Sequence, residues 1–259
     1  MALLKNMLGL LILLMVSNHS WAKKKELSVS EVLWRANKDV VRTKDEPFVI
    51  GDIAYSNETK RNADPCTSYN CKWVKHSDGN VYVPYVIANH YSSQERAIIE
   101  SGLQSFQHVS CVRFFPRTNQ RDYLSIQSGT GCYSYVGRQG NAQVLSLSRQ
   151  GCITFGTAQH ELLHALGFHH EQSRSDRDYH IRVLWQNIDP RYWNQFYIVN
   201  TLNLNTPYDY NSVMQYGRYL ASWNGEPTMV PIPNPNVQLG EATQMSQTDV
   251  IRVNRLYNC

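Results

Sequence analysis

The apolar positions fall into three regimes along the chain. The first is continuous: Met7 to Val16 is apolar residues and glycine without a break. Lys5 stands before it and Ser20-Trp21-Ala22 after it, so residues 1–22 have the basic start, apolar middle and small-residue end of a secretory signal peptide. The run is too short to span a bilayer, and no other segment is long and apolar enough to do so. The second regime, residues 23–61, is polar, charged and free of cysteine. One short amphipathic helix is predicted there, from Glu31 to about Asn37, with Ser30 as its cap. Lys60-Arg61 ends the segment with a basic site suited to a trypsin-like protease, and Asn57-Glu58-Thr59 is a glycosylation acceptor pattern.

The third regime starts at Asn62, where the composition becomes that of a folded domain, 62–259. Val81 to Ile87 is rich in β-branched and aromatic residues and reads as a strand. Ser92 or Ser93 caps a predicted helix to about Val109, with Ile98, Ile99, Leu103 and Phe106 as its buried stripe. Residues 112–115, 123–126 and 144–147 read as further strands, punctuated by Gly129, Gly131, Gly137 and Gly140. A helix follows from near Thr157. Beyond Gly167 the pattern loosens. A short helix is predicted within 188–199, an extended loop at Pro231, Pro233 and Pro235, and a last helix to Tyr257 opened by the capping box Ser246-Gln247-Thr248-Asp249. Strands and one helix, then a helix crossing the floor of a cleft, predict an α+β fold.

Charge and cysteine narrow the compartment and the partners. The formal net charge of +4 belongs mostly to the leader: residues 1–61 hold 10 of the 25 Lys+Arg and 7 of the 21 Asp+Glu, leaving 15 and 14 in 62–259. That near balance gives no case for nucleic-acid binding or membrane steering. The six cysteines are Cys66, Cys71, Cys111, Cys132, Cys152 and Cys259. None lies in a CxxC metal pattern. In a secreted chain an even count reads as three disulfides, with many pairings open; Cys66 and Cys71 are close enough to staple only a local loop.

The chemistry concentrates in 160–178, HELLHALGFHHEQSRSDRD. His160 and His164 sit one helical turn apart on one face, able to share a metal. Glu161 lies between them, within reach of a water on that metal. Gly167 permits the left-handed turn that ends a helix, and the chain returns His170 as a third imidazole. Three nitrogen ligands and an open position make a catalytic zinc, one per chain, rather than a closed structural one. In the leader, Val49-Ile50-Gly51-Asp52 sets a carboxylate beside a glycine, able to enter a cleft and occupy that open position. This favours an inhibitory pro-segment over a flexible leader.

The run 160–178 resembles the zinc signature of the astacin family of secreted metallopeptidases, within the metzincin clan, and Ser212-Val213-Met214-Gln215-Tyr216 resembles that family's Met-turn. The resemblance covers 62–259 and the end of the pro-segment. It implies a two-lobed catalytic domain with the zinc-binding helix at the base of the cleft, Met214 beneath the zinc site and Tyr216 as a fifth, displaceable ligand. By the same resemblance Asp52 caps the zinc in the zymogen, and Glu171 receives the new amino terminus through water. The implied disulfides are Cys111–Cys259, Cys132–Cys152 and Cys66–Cys71. Two positions depart from the common pattern: Val49 where Phe is frequent, and Gln215 where His is frequent. The start at Asn62-Ala63-Asp64-Pro65-Cys66 resembles the six-cysteine subgroup of hatching (choriolytic) enzymes and nephrosin.

These implications give a secreted, monomeric endopeptidase, stored in granules as a zymogen and matured by a trypsin-like protease. Zinc-activated water attacks a protein or peptide substrate, Glu161 is the general base, and Tyr216 steadies the tetrahedral oxygen. Egg-envelope protein, yolk and extracellular matrix all remain open as substrates. His19, His76, His90, His108, His169 and His180 lack ligand spacing and read as surface or packing residues. Arg174, Asp176, Arg177 and Asp178 read as a structural ion-pair loop. The competing class is a non-catalytic secreted zinc-binding or egg-surface recognition domain, which a retained Glu161 disfavours. A matrix-degrading metzincin is the competing enzyme, disfavoured by the cysteines and Glu171.

Overall fold

The computed structural model describes residues 26–55 and 71–259. The predicted signal peptide, Asn57, the Arg61/Asn62 site and Cys66 lie outside them. The leader contributes helix α1 (Val29–Asn37) and two short strands, β1 (Phe48–Ile50) and β2 (Ile53–Tyr55). The cap of α1 is Ser28, not Ser30: the Ser28 hydroxyl accepts the Glu31 N–H, while Ser30 is buried and accepts the Gly217 N–H at 2.7 Å. Two serines two residues apart offer the same capping chemistry, and a tertiary contact decides between them.

The domain proper begins with β3 (Val81–Ile87), α2 (Ser93–Ser105), β4 (Val112–Pro116), β5 (Tyr123–Gln127), β6 (Cys132–Tyr135) and β7 (Ala142–Leu147). They form a sheet in the order β6-β7-β5-β3-β4, parallel except for β6, which runs antiparallel to β7. The leader extends the sheet past β6 with β2 and then β1. Ser92 and Glu95 form a reciprocal capping box that starts α2. The helix ends at Ser105 rather than near Val109, because turns take over where Phe106 drops into the core. Ile99, Leu103 and Phe106 are buried and Ile98 only partly so.

Helix α3 (Phe155–Ala165) crosses beneath the sheet and is buried along almost its whole length. Such a helix has no exposed face to show amphipathic periodicity. After it regular structure thins. Strands β8 (Ile181–Val183) and β9 (Met229–Pro231) pair antiparallel, so the first of the three prolines closes a strand rather than opening a loop. The helix expected within 188–199 is a 3₁₀ turn, Pro190–Phe196. The last helix, α4 (Gln247–Tyr257), starts from the Ser246/Asp249 capping box.

Two cores result. One joins the sheet to α2, α3 and α4 through Val83, Leu103, Leu145, Leu162 and Leu256; the other gathers Ile181, Phe196, Tyr208, Tyr216 and Met229. The mixed sheet-and-helix architecture is the expected α+β class, and the two cores are its two lobes. Disulfides Cys111–Cys259 and Cys132–Cys152 staple the first lobe. The former spans 148 residues, a closure worth about 5 kcal/mol in the chain-entropy model. Cys71 is not free, and its expected partner Cys66 is outside the described residues.

Candidate active site

The floor of the cleft is α3. The Thr154 hydroxyl caps it by accepting the Thr157 N–H at 3.1 Å. One turn on, His160 and His164 stand with ring centroids 4.7 Å apart. Gly167, at φ +110°, ends the helix in a conformation that a side chain would strain. The chain reverses there, and the Phe168 carbonyl comes to accept a hydrogen bond from His164 Nδ1 at 2.7 Å. His170 then enters the site at the start of a 3₁₀ turn, Glu171–Ser173. His160 Nδ1 donates to the Val213 carbonyl at 2.9 Å. With Nδ1 protonated in both rings, the Nε2 lone pairs face the centre, as metal ligands require.

Asp52 reaches this centre from the leader. Its Oδ2 lies 2.9 Å from His160 Nε2 and its Oδ1 2.9 Å from His170 Nε2. His164 Nε2 and His170 Nε2 are 3.2 Å apart. Donors at 2.0–2.1 Å around a tetrahedral zinc are separated by about 3.3 Å, so the donor set fits that ion. The four ligand atoms all lie within 4.8 Å of one another. Burial works against the Asp52 charge, but the surrounding imidazoles, His170 foremost, hold its carboxyl well below the usual range. Gly51 makes the approach possible: it sits at φ +64°, and a Cβ there would fall 2.8 Å from the Tyr216 hydroxyl oxygen.

Glu161 is fully buried, and neither carboxylate oxygen has a partner among the described residues. Burial first, and then the Asp52 charge, push its carboxyl well above the ordinary range, with Arg42 acting against both. A buried carboxylate without partners is costly and signals a group facing a ligand. Burial also pulls His164 down to about 4.

The segment 212–216 lies below. Met214 is buried in the first core, and its carbonyl accepts the Glu171 N–H at 3.0 Å. Asp249 of α4 fixes this turn by accepting from the Ser212 hydroxyl at 2.6 Å and the Val213 N–H at 3.0 Å. Gln215 takes a hydrogen bond from the Tyr208 hydroxyl at 2.5 Å, a role its amide fills without touching the histidines. The Tyr216 ring packs 4.5 Å from that of His170. Glu171 is held by Arg252 through two hydrogen bonds of 2.6 and 2.8 Å, and by the Asp209 N–H at 2.7 Å. Arg174–Asp176 and Arg177–Asp178 are ion pairs outside the ligand group, and Arg174 Nη1 also lies 3.4 Å from Glu171 Oε1. His169 stays outside the ligand group; burial pulls it down to about 4, and its Nε2 has no partner among the described residues.

Other residues of the site escape the sequence. The N–H groups of 130, 132 and 134 on and beside β6 each meet an acceptor from the leader: Glu46 Oε1 at 2.8 Å, Asn37 Oδ1 at 2.9 Å and the Asp52 carbonyl at 3.0 Å. Asn37 also donates to the Cys132 carbonyl at 2.9 Å, so one carboxamide stands in for a paired peptide group. A polar residue in a polar leader carries no spacing signal for such a contact.

Comparison with known proteins gives a consistent picture. Residues 69–258 match the model of the Astacin peptidase family. High choriolytic enzyme 1 of Oryzias latipes is 49% identical over 216 residues, covering 83% of this chain and 79% of that protein. Low choriolytic enzyme of the same fish is 42% identical over 233 residues, covering 89% and 84%. The solved structure of high choriolytic enzyme 1, a hatching enzyme zinc-protease from medaka, superposes with a TM-score of 0.73 at 51% identity, covering 76% of this chain and all of that one.

Proposed function

The chain belongs to the astacin family and is a zinc metalloendopeptidase; from that premise we propose that it is made as a secreted, latent precursor and, once cut after Arg61, digests egg-envelope protein. The observation that carries latency is the Asp52 carboxylate lying 2.9 Å from two of the three imidazoles. Residues 1–22 are the signal peptide, 23–61 the inhibitory pro-segment and 62–259 the catalytic domain.

His160, His164 and His170 hold the zinc, which when bound polarises a water and the scissile carbonyl. Glu161 takes the proton of the attacking water on a carboxylate oxygen and delivers it to the leaving amine. Departure of the pro-segment removes the Asp52 charge that helps to push the Glu161 carboxyl above its ordinary range. The Tyr216 hydroxyl donates to the developing tetrahedral oxygen. Met214 supports the floor. Asp52, while present, occupies the face of the histidines that substrate needs.

Cleavage has a second consequence in this reading. Residue 71 lies at the turn after α3, since the Arg138 N–H donates to the Cys71 carbonyl and Trp73 Nε1 to the Ala165 carbonyl. Gly167, Phe168, Glu171 and Arg252 line one nearby pocket. An α-amino group at Asn62 enters it and joins Arg252 at the Glu171 carboxylate, both of whose oxygens already accept from that arginine.

The enzyme acts as a monomer and is stored in granules until a trypsin-like protease matures it. The egg-envelope assignment rests on the choriolytic relatives. Expression of residues 23–259, treatment with trypsin, and parallel measurement of activity and amino-terminal sequence test latency. Full activity in the uncut chain contradicts it, and an active product starting well away from Asn62 contradicts the link to Glu171. Release of soluble fragments from isolated egg envelopes, set against casein and collagen, tests the substrate.

A further inference from the structure

The Tyr216 hydroxyl has a second acceptor. Asp52 Oδ1 is 3.4 Å from it, and Gln195 Oε1 is 3.2 Å from it. A phenol has one proton and serves one strong acceptor at a time. When residues 23–61 leave, Asp52 goes with them. Gln195 Oε1 is then the acceptor that remains among the described residues.

Gln195 is well placed to keep that contact. It lies in the 3₁₀ turn Pro190–Phe196, whose last residue is fully buried and stands edge-on to the Tyr216 ring at 6.1 Å. Arg177 Nη1 donates to the carbonyls of both Phe196 and Gln172 at 2.9 Å. Gln172 Oε1 in turn accepts the Tyr216 N–H at 3.3 Å. The backbones of Tyr216 and Gln195 are thus tied to the same turn that follows the third histidine. The Gln195 side chain also borders the reaction space, because a Cβ at Gly51 would lie 3.0 Å from its Oε1.

We propose that Gln195 is a positioning residue for the reaction. Its Oε1 holds the Tyr216 hydroxyl off the metal that the histidines would carry, ready to transfer its hydrogen bond to the tetrahedral oxygen. The inference rests on the reading of Tyr216 as a displaceable ligand. A carboxamide oxygen suits that role. It accepts the hydroxyl's hydrogen bond and so orients the phenol as a donor. No bond is made or broken; one hydrogen bond is exchanged for another.

The test uses the trypsin-matured enzyme with zinc and, separately, with copper(II) in its place. A phenolate on copper gives a charge-transfer band in the visible, and a phenol turned away gives none. Gln195→Ala should intensify that band at least about twofold and lower kcat by about five- to tenfold, the scale of one neutral hydrogen bond, with KM within about twofold. Gln195→Glu retains an acceptor and should leave the band at or below that of the parent. A Gln195→Ala band equal to the parent's, or a loss confined to KM or Tm, overturns the role of Gln195. A band that survives Tyr216→Phe shows instead that Tyr216 does not reach the metal, and both readings fall.

Discussion

The floor and the roof of the cleft are built on different principles. The floor is local: two histidines one turn apart, a glycine that reverses the chain, and a third histidine six residues after the second, all on or just beyond a helix buried in the main core. The roof is assembled from residues 37, 46 and 52, which reach β6 and the residues just before it, some eighty to ninety-five positions away, through one or two hydrogen bonds each. The two therefore differ in how readily they separate from the rest. A floor held by burial persists whatever lies above it. A roof held by a few hydrogen bonds, each worth about 1 kcal/mol net, and by the buried Val29 and Leu33 of α1 is expected to loosen once the chain is cut.

The widest expected separation between the two comes from Glu161→Gln. It should lower turnover of a casein-type substrate by about 10²–10⁴-fold while zinc content, read by atomic absorption, stays at one per chain. Near-normal turnover in the zinc-loaded variant would remove Glu161 from the chemistry. The pro-segment should still seat on this variant, because its contacts with β6 do not involve Glu161.

Asn37→Ala probes the roof alone. It removes two hydrogen bonds to Cys132, worth about 2 kcal/mol or roughly 30-fold in retention. After trypsin nicking, gel filtration should show the pro-segment leaving the domain sooner, with kcat/KM of the mature enzyme unchanged. Equal retention would mean that β6 is not what holds the leader.

A smaller effect is expected on the floor. His169 titrates near 4 when folded and near 6.5 when unfolded. The unfolded chain therefore binds the extra proton first as pH falls, and stability drops through the window from about 6.5 to about 4. Thermal melts of the mature enzyme should show this slope, and His169→Gln should flatten part of it. An unchanged slope would mean that His169 is not buried neutral.

The same contrast explains what the sequence alone can reveal. His160, Glu161, His164 and His170 follow from spacing, because a helix converts sequence interval into direction. The Ser246 and Ser92 caps are local for the same reason. Strand β6 is not legible, since Gly129, Gly131 and Gly137 bracket four residues that look like loop. Ser30 takes the capping role of Ser28 in the sequence because only the fold shows that Gly217 claims its hydroxyl. Asn37, Glu46 and Gln195 act across the fold, so no interval along the chain marks them. Asp52 is legible only because a glycine and a carboxylate adjoin.

Asp52 is where floor and roof meet, and the uncut Asp52→Ala chain is the sharpest probe of latency. The measurement is hydrolysis of a fluorogenic peptide by the zinc-loaded 23–259 form, with the intact amino terminus verified before and after the assay. Clear activity is expected without cleavage, rising further after trypsin, while the parent stays silent until cut. An Asp52→Ala chain as silent as the parent, yet fully active after trypsin, would contradict the role of Asp52 and place the block elsewhere in the leader.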